Sequence, residues 1–201
     1  MNKIIATGKL IKISSGKKYK THLLVVIKIP NQPDAYISFA TNDDIDPSIK
    51  VKDFITVEGF LRGYNEQNEK GVWIVTHCFE AEKISLSKND LQSEFNLPGH
   101  YNAKYQFIGY VEGVVRSVVE VDENKKSIII AIYEGKNIPD MATVILENSP
   151  EIQNEFEQIR KYDMVSLVLC DKTRIKKSGG KEKSINELYV RDLAITGKFN
   201  G

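Results

Sequence analysis

The side chains of this sequence that can bind a ligand are concentrated in three short stretches, of which Lys172–Lys183 is the most strongly charged. Its twelve residues include six cations and one carboxylate, around a Ser-Gly-Gly centre that is typical of a flexible hairpin tip. Cations at this density suit contact with the phosphate groups of a polyanion. A solvated hairpin that keeps the protein soluble is the alternative, and the sequence leaves both open. The cations are Lys172, Arg174, Lys176, Lys177, Lys181 and Lys183.

The second stretch combines charge with an aromatic ring. It consists of Lys17, Lys18, Tyr19 and Lys20, directly after Gly16. A tyrosine among three lysines offers a flat face for stacking beside cations for phosphate, which is the combination that binding of a single nucleic-acid strand requires. The alternative is an ordinary lysine-rich turn.

The third stretch is the alternating segment Phe54–Arg62. Alternation places Phe60 and Arg62 on the same strand face, where an exposed ring beside a cation would form a stacking platform. Tyr64 follows at the base of a loop predicted over Gly63–Gly71, and it is a further stacking candidate. The alternatives are that Phe60 packs under a loop or in a dimer interface and that Tyr64 is a surface tyrosine. The residues of the opposite face, which we expect in the core, are Ile55, Val57 and Leu61.

The remaining polar residues form no catalytic or metal-binding pattern. The sequence lacks Gly-x-x-x-x-Gly-Lys-Ser/Thr, Gly-x-Gly-x-x-Gly and Gly-x-Ser-x-Gly, and its three histidines are scattered. Cys78 and Cys170 have no Cys or His at metal-ligand spacing, so we expect two buried, reduced thiols. We therefore expect no enzyme, no cofactor and no metal. The net charge of +1, from 28 basic and 27 acidic residues, counts against nucleic-acid binding unless the cations cluster in space.

Short apolar runs rich in Val, Ile, Phe and Tyr, separated by polar turns, dominate the chain and predict β-strands. Trp73, the single tryptophan, is expected in the core. Ser149–Lys161 differs, because Ser149 and Pro150 suit a helix start and apolar residues then recur at helical spacing. The predicted strands are Lys3–Ile13, His22–Ile29, Ala35–Ala40, Phe54–Arg62, Val72–Ile84, Phe107–Val121, Ser127–Tyr133, Ala142–Leu146, Met164–Lys172 and Glu187–Gly197.

The strands fall into two sets of five, which predicts two domains. Turn-forming residues between Ser85 and Lys104 favour domains at 1–86 and 105–201, joined by a linker at 87–104. The halves also resemble a diverged repeat, with a growing offset between matched segments. The matches are Gly8–Ile11 with Gly113–Arg116, Asp53–Val57 with Asp163–Leu167, and Trp73–Val75 with Leu188–Val190.

Five strands in each half, with a helix or loop between the third and fourth, predict an all-β fold with one short helix, built from two tandem five-stranded Greek-key barrels of the OB type. The first strand of such a barrel must bend, and an internal glycine permits the bend. Gly8 and Gly113 are the candidates for the two bends.

The segment Lys52–Arg62 resembles the bacterial single-stranded DNA-binding protein superfamily. In that family an acidic residue introduces a strand that ends in a glycine and a basic residue, and here Asp53, Gly59 and Arg62 match. The resemblance covers both halves in layout and the first half in motif. It implies binding of single-stranded DNA through the basic loops and stacking rings. RNA remains an alternative because stacking and phosphate contacts serve both.

The resemblance also implies a homodimer, since such relatives work as sets of four barrels. A protein-interaction or assembly module without nucleic-acid binding is the alternative function, and the nearly neutral charge favours it. The segment Met1–Gly8 carries no long apolar stretch and no small-residue cleavage site, and no apolar run approaches the roughly 20 residues of a membrane span. We therefore expect a cytoplasmic protein that binds no membrane.

Overall fold

Most of the chain is described by the computed structural model. It covers residues 1–27, 34–67, 71, 73–87, 93–96, 102–105, 107–135, 137–178 and 181–199. For 64–66, 73, 74, 76, 93–96, 102–105, 173–178 and 181–186 the backbone alone is described. No helix among these residues is long and apolar enough to cross a membrane.

Strands account for nearly all of the regular structure, as the alternating apolar pattern predicts. In the first half they are β1 (Asn2–Ser15), β2 (Thr21–Ile27), β3 (Ala35–Thr41), β4 (Phe54–Gln67) and β5 (Trp73–Leu86). A two-stranded hairpin of β6 (Ser93–Asn96) and β7 (Asn102–Tyr105) follows. In the second half they are β8 (Phe107–Asp122), β9 (Lys125–Ile132), β10 (Asp140–Glu147), β11 (Asp163–Ser178) and β12 (Lys181–Lys198). The helix α1 (Gln153–Gln158) lies between β10 and β11.

Each half closes into a five-stranded barrel. In the first, β1 pairs with both β2 and β4, β2 pairs with β3, and β4 pairs with β5. A short parallel pairing of β3 with β5 closes the ring. The same pairings recur among β8 to β12, with β10 and β12 as the parallel pair. The predicted all-β fold of two tandem OB barrels is confirmed, while the exact domain boundaries stay a prediction.

The first strands of the two barrels also pair with each other, antiparallel, from Asn2 to Ala6 of β1. Ile4 lies opposite Gly109, which is 105 residues later, and Gly8 and Gly113 show the same spacing. Gly8 and Gly113 are the partners of Ile55 and Val165 in their barrels. Since equivalent residues face each other at the centre of the pairing, an approximate two-fold axis relates the barrels.

Gly8 and Gly113, the glycines predicted at the two bends, lie where a side chain would clash with the neighbouring strand. A Cβ on Gly8 would be 2.3 Å from the carbonyl oxygen of Val26, and one on Gly113 would be 2.8 Å from that of Ala131. The ladder between β1 and β2 shifts register just after Gly8, between Leu10 and Lys12. Both glycines therefore permit close strand contact beside the bend.

An identical turn precedes the fourth strand of each barrel. Lys52 and Tyr162 have φ angles of 87° and 72°, and each donates its backbone N–H to the first strand. The next residue is an aspartate whose Oδ2 accepts a 2.7 Å hydrogen bond from the backbone N–H three residues earlier, of Lys50 or Arg160. The matched segments at Asp53 and Asp163 thus share a turn as well as a strand.

Three expectations differ from the structure. The helix begins later than predicted, because Ser149 and Pro150 lie in a turn and the N-cap is Ile152, without a side-chain cap. The predicted linker contains the β6–β7 hairpin. The third match of the repeat, Trp73 with Leu188, is out of register. Leu61 pairs with Phe79, and Asp171, which lies 110 residues after Leu61, pairs with Leu188. Phe79, rather than Trp73, therefore takes the place of Leu188.

We expect Asp163→Ala to lower the free energy of unfolding by about 1.5–3 kcal/mol, because Asp163 is 1% exposed and its carboxylate holds the turn. Urea denaturation measures the change. Asp122→Ala is the control, since the carboxylate of Asp122 accepts a local hydrogen bond from the backbone N–H of Asn124 at an exposed site. Equal losses in the two variants would contradict a special role for the turn before β11.

The stability of the fold should fall as the pH drops below about 6.5, with His77 as one cause. Burial lowers the pKa of His77 from its ordinary value of 6.5, so the unfolded chain takes up this proton before the folded one. The contribution is fully present above pH 6.5 and is lost as the pH falls toward the folded pKa. Urea denaturation at pH 5.5 and 7.5 should show a smaller difference for His77→Gln than for wild type; an unchanged difference would refute the assignment.

Candidate functional site

The loop between β1 and β2 presents its lysines to solvent and folds its tyrosine inward. Lys17, Lys18 and Lys20 are exposed, whereas Tyr19 is half-buried. The Nζ of Lys18 lies 5.6 Å from the centroid of the Tyr19 ring. Lys20 forms an ion pair with the exposed Asp44. The loop therefore offers a cation above an aromatic ring, together with further lysine charge.

Tyr19 contacts the outer face of β5. Its hydroxyl lies 3.9 Å from the sulfur of Cys78, and its ring meets His22 edge-on at 6.2 Å between centroids. Burial, then the charge of Cys78, raises the pKa of Tyr19, so its phenol stays protonated at neutral pH. Burial likewise raises the pKa of the Cys78 thiol. Cys78 and Cys170 are free thiols, as predicted, and both are half-buried rather than fully buried.

The alternation predicted for β4 is confirmed, and it brings Phe60 and Arg62 together. Both are half-buried on the outer face, and the guanidinium carbon of Arg62 lies 4.9 Å from the centroid of the Phe60 ring. Arg62 pairs across the sheet with Cys78, which Tyr19 contacts. The second and third predicted stretches therefore meet on one face of the first barrel. The core-facing residues Ile55, Val57 and Leu61 are fully buried.

Arg62 is also held by three carboxylates, which sequence reasoning did not foresee. Its guanidinium lies 2.9 Å from Glu80 in its own barrel, and 3.3 Å and 3.5 Å from Asp140 and Glu134 in the second barrel. Burial opposes the charge, but the hydrogen bond to Glu80 and the charges of Glu80 and Asp140 raise the pKa of Arg62 overall. Its predicted phosphate contact must therefore compete with ion pairs that join the barrels.

The backbone next to Arg62 explains why the barrels approach so closely here. A Cβ on Gly63 would lie 1.5 Å from the carbonyl oxygen of Met141, so only glycine fits. The N–H of Gly63 donates to Asp140 at 3.3 Å. The side-chain amide of Asn2 bonds both the N–H and the carbonyl of Leu61, at 2.9 Å and 2.7 Å. This junction fixes the position of the Phe60–Arg62 face relative to the second barrel.

Lys172 occupies the corresponding position on the second barrel, 110 residues after Arg62. It forms an ion pair with Glu147 at 2.7 Å and lies 4.1 Å from the centroid of the Tyr189 ring. A cavity of about 550 Å³ adjoins it, lined in part by Ile108 and Cys170. The described contacts of Lys172 all lie within the second barrel.

The remaining predicted contacts lie outside the described side chains. The backbone shows that β11 and β12 extend to the hairpin tip, where Ser178 pairs with Lys181, beyond the predicted strand end at Lys172. In the same way β4 continues to Gln67, so Tyr64 lies within a strand rather than at the base of a loop. The side chains concerned are those of Tyr64, Trp73, Arg174, Lys176, Lys177, Lys181 and Lys183.

Sequence reasoning missed a group of rings on the second barrel, which we call the aromatic cluster: Tyr133, Tyr162 and Phe199. The rings of Tyr133 and Phe199 stack, with centroids 5.8 Å apart and planes at 15°. The guanidinium carbon of Arg116 lies 5.7, 5.3 and 6.0 Å from the centroids of Tyr133, Phe199 and Tyr162. The Nζ of Lys161 lies 4.8 Å from the Tyr162 ring. Because these residues come from four separate segments, no local pattern revealed them.

The part of the chain that the structure describes contains no group of three or more His, Cys, Asp or Glu side chains that could hold a metal ion. The face formed by Lys18, Tyr19, Phe60 and Arg62 combines aromatic rings with cations. The aromatic cluster, with Arg116 and Lys161, combines the same two kinds of group on the second barrel.

The chain matches no protein-family model and no curated protein. It is similar in structure to the single-stranded DNA binding protein from Thermus aquaticus. The similarity to the wild-type protein covers 100% of this chain and 95% of that one, at 11% identity and a TM-score of 0.58. For a deletion mutant of the same protein the coverages are 100% and 97%, at 9% identity and a TM-score of 0.60. At this identity the similarity establishes the fold, which is the OB fold expected from the strand layout.

We expect Arg62→Met to lower the free energy of unfolding by about 1–3 kcal/mol, since it removes charged hydrogen bonds and leaves carboxylates without their cation. A double-mutant cycle with Asp140→Asn, followed by urea denaturation, should give a coupling of about 0.5–3 kcal/mol. Lys20→Met is the control, because its exposed ion pair with Asp44 should contribute less than about 1 kcal/mol. Additive effects at positions 62 and 140 would show that the junction is not held by this pair.

Proposed function

We propose that this chain is a non-catalytic protein that binds single-stranded DNA. The observation that carries the proposal is the meeting of two cation–ring pairs on one barrel face. Lys18 with Tyr19 comes from the loop after β1, and Arg62 with Phe60 comes from β4. Binding of single strands requires such flat rings beside cations, because bases stack on the rings while the cations contact phosphate.

The position of these groups supports the proposal further. In OB barrels the loop between the first two strands is a common ligand contact, and so is the loop between the fourth and fifth. The first of these loops contributes Lys17, Lys18 and Lys20, all exposed to solvent. Tyr19 is seated on β5 beside Arg62, so the loop is ordered against the sheet before any ligand binds. A ligand then meets a surface that needs little rearrangement.

The hairpin of β11 and β12 supplies the largest local excess of positive charge. Its backbone is paired through to Ser178 and Lys181, so it projects as a two-stranded arm rather than an irregular loop. Six of the twelve residues at 172–183 are basic and one is acidic. We expect the arm to contact phosphate, and this contact compensates for a net charge of only +1 over the whole chain.

A protein-interaction or assembly module is the second candidate, and one observation favours it. Arg62, at the centre of the proposed face, is neutralised by Glu80, Glu134 and Asp140. A face whose central cation already has carboxylate partners attracts phosphate less strongly. The two functions differ in whether the protein binds a single strand at low salt, which a titration measures.

The decisive experiment is a fluorescence-anisotropy titration with labelled oligo-dT of about 35 nucleotides, at low and moderate salt. We expect binding to this strand to weaken steeply with salt, by a slope of about 0.7 per phosphate contact, and to exceed binding to a matching duplex. Lys176→Glu with Lys177→Glu should weaken it about tenfold or more. No binding at micromolar protein in low salt would overturn the proposal, and it would favour the protein-interaction function.

The matched control is Lys50→Glu with Lys52→Glu, which makes the same change in net charge. These exposed lysines lie in the turn before β4, outside the proposed face. A loss of affinity in both double variants would indicate a general charge effect rather than a contact of the hairpin. Competition by an RNA strand of equal length measures the preference for DNA. The homodimer stays a prediction, which the mass of the protein in solution would test.

A further inference from the structure

We propose that the aromatic cluster, together with Arg116 and Lys161, is a second binding site for the strand, in which an unstacked base lies against the rings and a phosphate contacts the cations. This inference rests on the proposed function and assigns that function to a site on the second barrel. The guanidinium carbon of Arg116 lies within 6.0 Å of the centroids of all three rings, and the Nζ of Lys161 lies 4.8 Å from that of Tyr162.

The first argument is that these two cations have no carboxylate partner among the described residues. Arg116 donates a hydrogen bond to the hydroxyl of Tyr133 and lies against all three rings, and Lys161 lies against the Tyr162 ring. Both also line a cavity of about 720 Å³ whose wall includes Glu120, Asp122, Glu123 and Glu157, none of which forms an ion pair with either cation. Arg62 and Lys172, by contrast, are both in ion pairs. Positive charge that is not neutralised within the protein remains available for phosphate.

The second argument is the shape and exposure of the site. Tyr133 and Phe199 of the cluster line a cavity of about 480 Å³, within the range of roughly 300–1,000 Å³ that is usual for ligand pockets, while Tyr162, Arg116 and Lys161 lie outside its lining. Tyr162 is 45% exposed and Met164 is 41% exposed, so a ligand can reach both side chains from solvent. The lining includes Gly113, Val114, Tyr133, Met164, Thr196 and Phe199. An apolar pocket walled by rings suits a planar base.

Two carboxylates, Glu112 and Glu134, also line this cavity, and each lies beside a positively charged group. The N-terminal ammonium lies 2.5 Å from Glu112, and its hydrogen bond lowers the pKa of that carboxyl. Glu134 lies 3.5 Å from Arg62. They therefore oppose a phosphate less than free carboxylates would. Glu134 both lines this cavity and pairs with Arg62. The cavity therefore adjoins the Phe60–Arg62 face, and one nucleic-acid strand can contact both sites.

The third argument is that the first barrel lacks this set of residues at the equivalent turn. Tyr162 N–H bonds the carbonyl of Val115, and Lys52 N–H bonds that of Leu10. By this match Lys52 replaces Tyr162, and Ile11 replaces Arg116. The fold alone does not require rings and a guanidinium here, because an identical turn forms without them. A binding role accounts for their presence in one barrel only.

The wild-type protein provides the first test, through photocrosslinking. Oligo-dT of about 35 nucleotides carrying 5-iododeoxyuridine is irradiated in complex with the protein, and crosslinked residues are mapped by mass spectrometry. We expect crosslinks at Tyr133, Tyr162 or Phe199. Crosslinks confined to Tyr19, Phe60 and the β11–β12 hairpin would overturn the second site while leaving the proposed function standing. Absence of any binding would overturn both.

Two variants provide the second test, in the same anisotropy titration. Tyr162→Asn removes a ring while retaining a residue that tolerates the φ of 72°, and we expect a loss of affinity of roughly fivefold to hundredfold. Arg116→Gln should lower the salt slope by about 0.7. Lys52→Asn is the control, because it introduces the same residue at the equivalent turn, outside both proposed sites, and should leave the affinity nearly unchanged. If the wild type binds and all three variants bind equally well, the second site is refuted.

Discussion

The antiparallel pairing of β1 with β8 determines how the rest of the molecule is arranged. Ile4 lies opposite Gly109 at its centre, and a Cβ on Gly109 would be 2.6 Å from the terminal carbon of Ile4, so the glycine leaves room for the isoleucine. Two five-stranded barrels that share one continuous set of backbone hydrogen bonds cannot rotate freely against each other. Their outer faces, with the loops that carry the cations, are consequently held in one relative orientation.

The two ends of this arrangement differ although the backbone is nearly symmetric. At one end Arg62 reaches Glu134 and Asp140 of the second barrel, and Gly63 allows close contact with Met141. At the other end the counterpart of Arg62 is Lys172, whose partner Glu147 belongs to its own barrel. Ion pairs therefore join the two barrels at one end, and at the other end a cavity lies beside Lys172. Charges that tie the barrels together are less available to a ligand, which separates structural cations from binding cations.

The sequence predicted the fold far better than the site. Alternation revealed the strands because a half-buried strand repeats every two residues. Turn residues marked most strand ends within a few positions, but β4, β11 and β12 extend five or six residues further than predicted. The face of Phe60 and Arg62 followed from the same rule. The partners of Arg62 did not, because Glu134 and Asp140 are more than 70 residues away and no local pattern connects them. Arg116 and the aromatic cluster were missed for the same reason.

The joining of both barrels in one chain has a consequence for how such a protein can change. In a pair of identical subunits every substitution appears twice, so a residue that improves one half is imposed on the other. Here Tyr162 and Lys52 occupy equivalent turns and are different residues, because each barrel has its own sequence. Each barrel can therefore carry its own residue at an equivalent position, and the two faces of one molecule can differ in charge and in aromatic content.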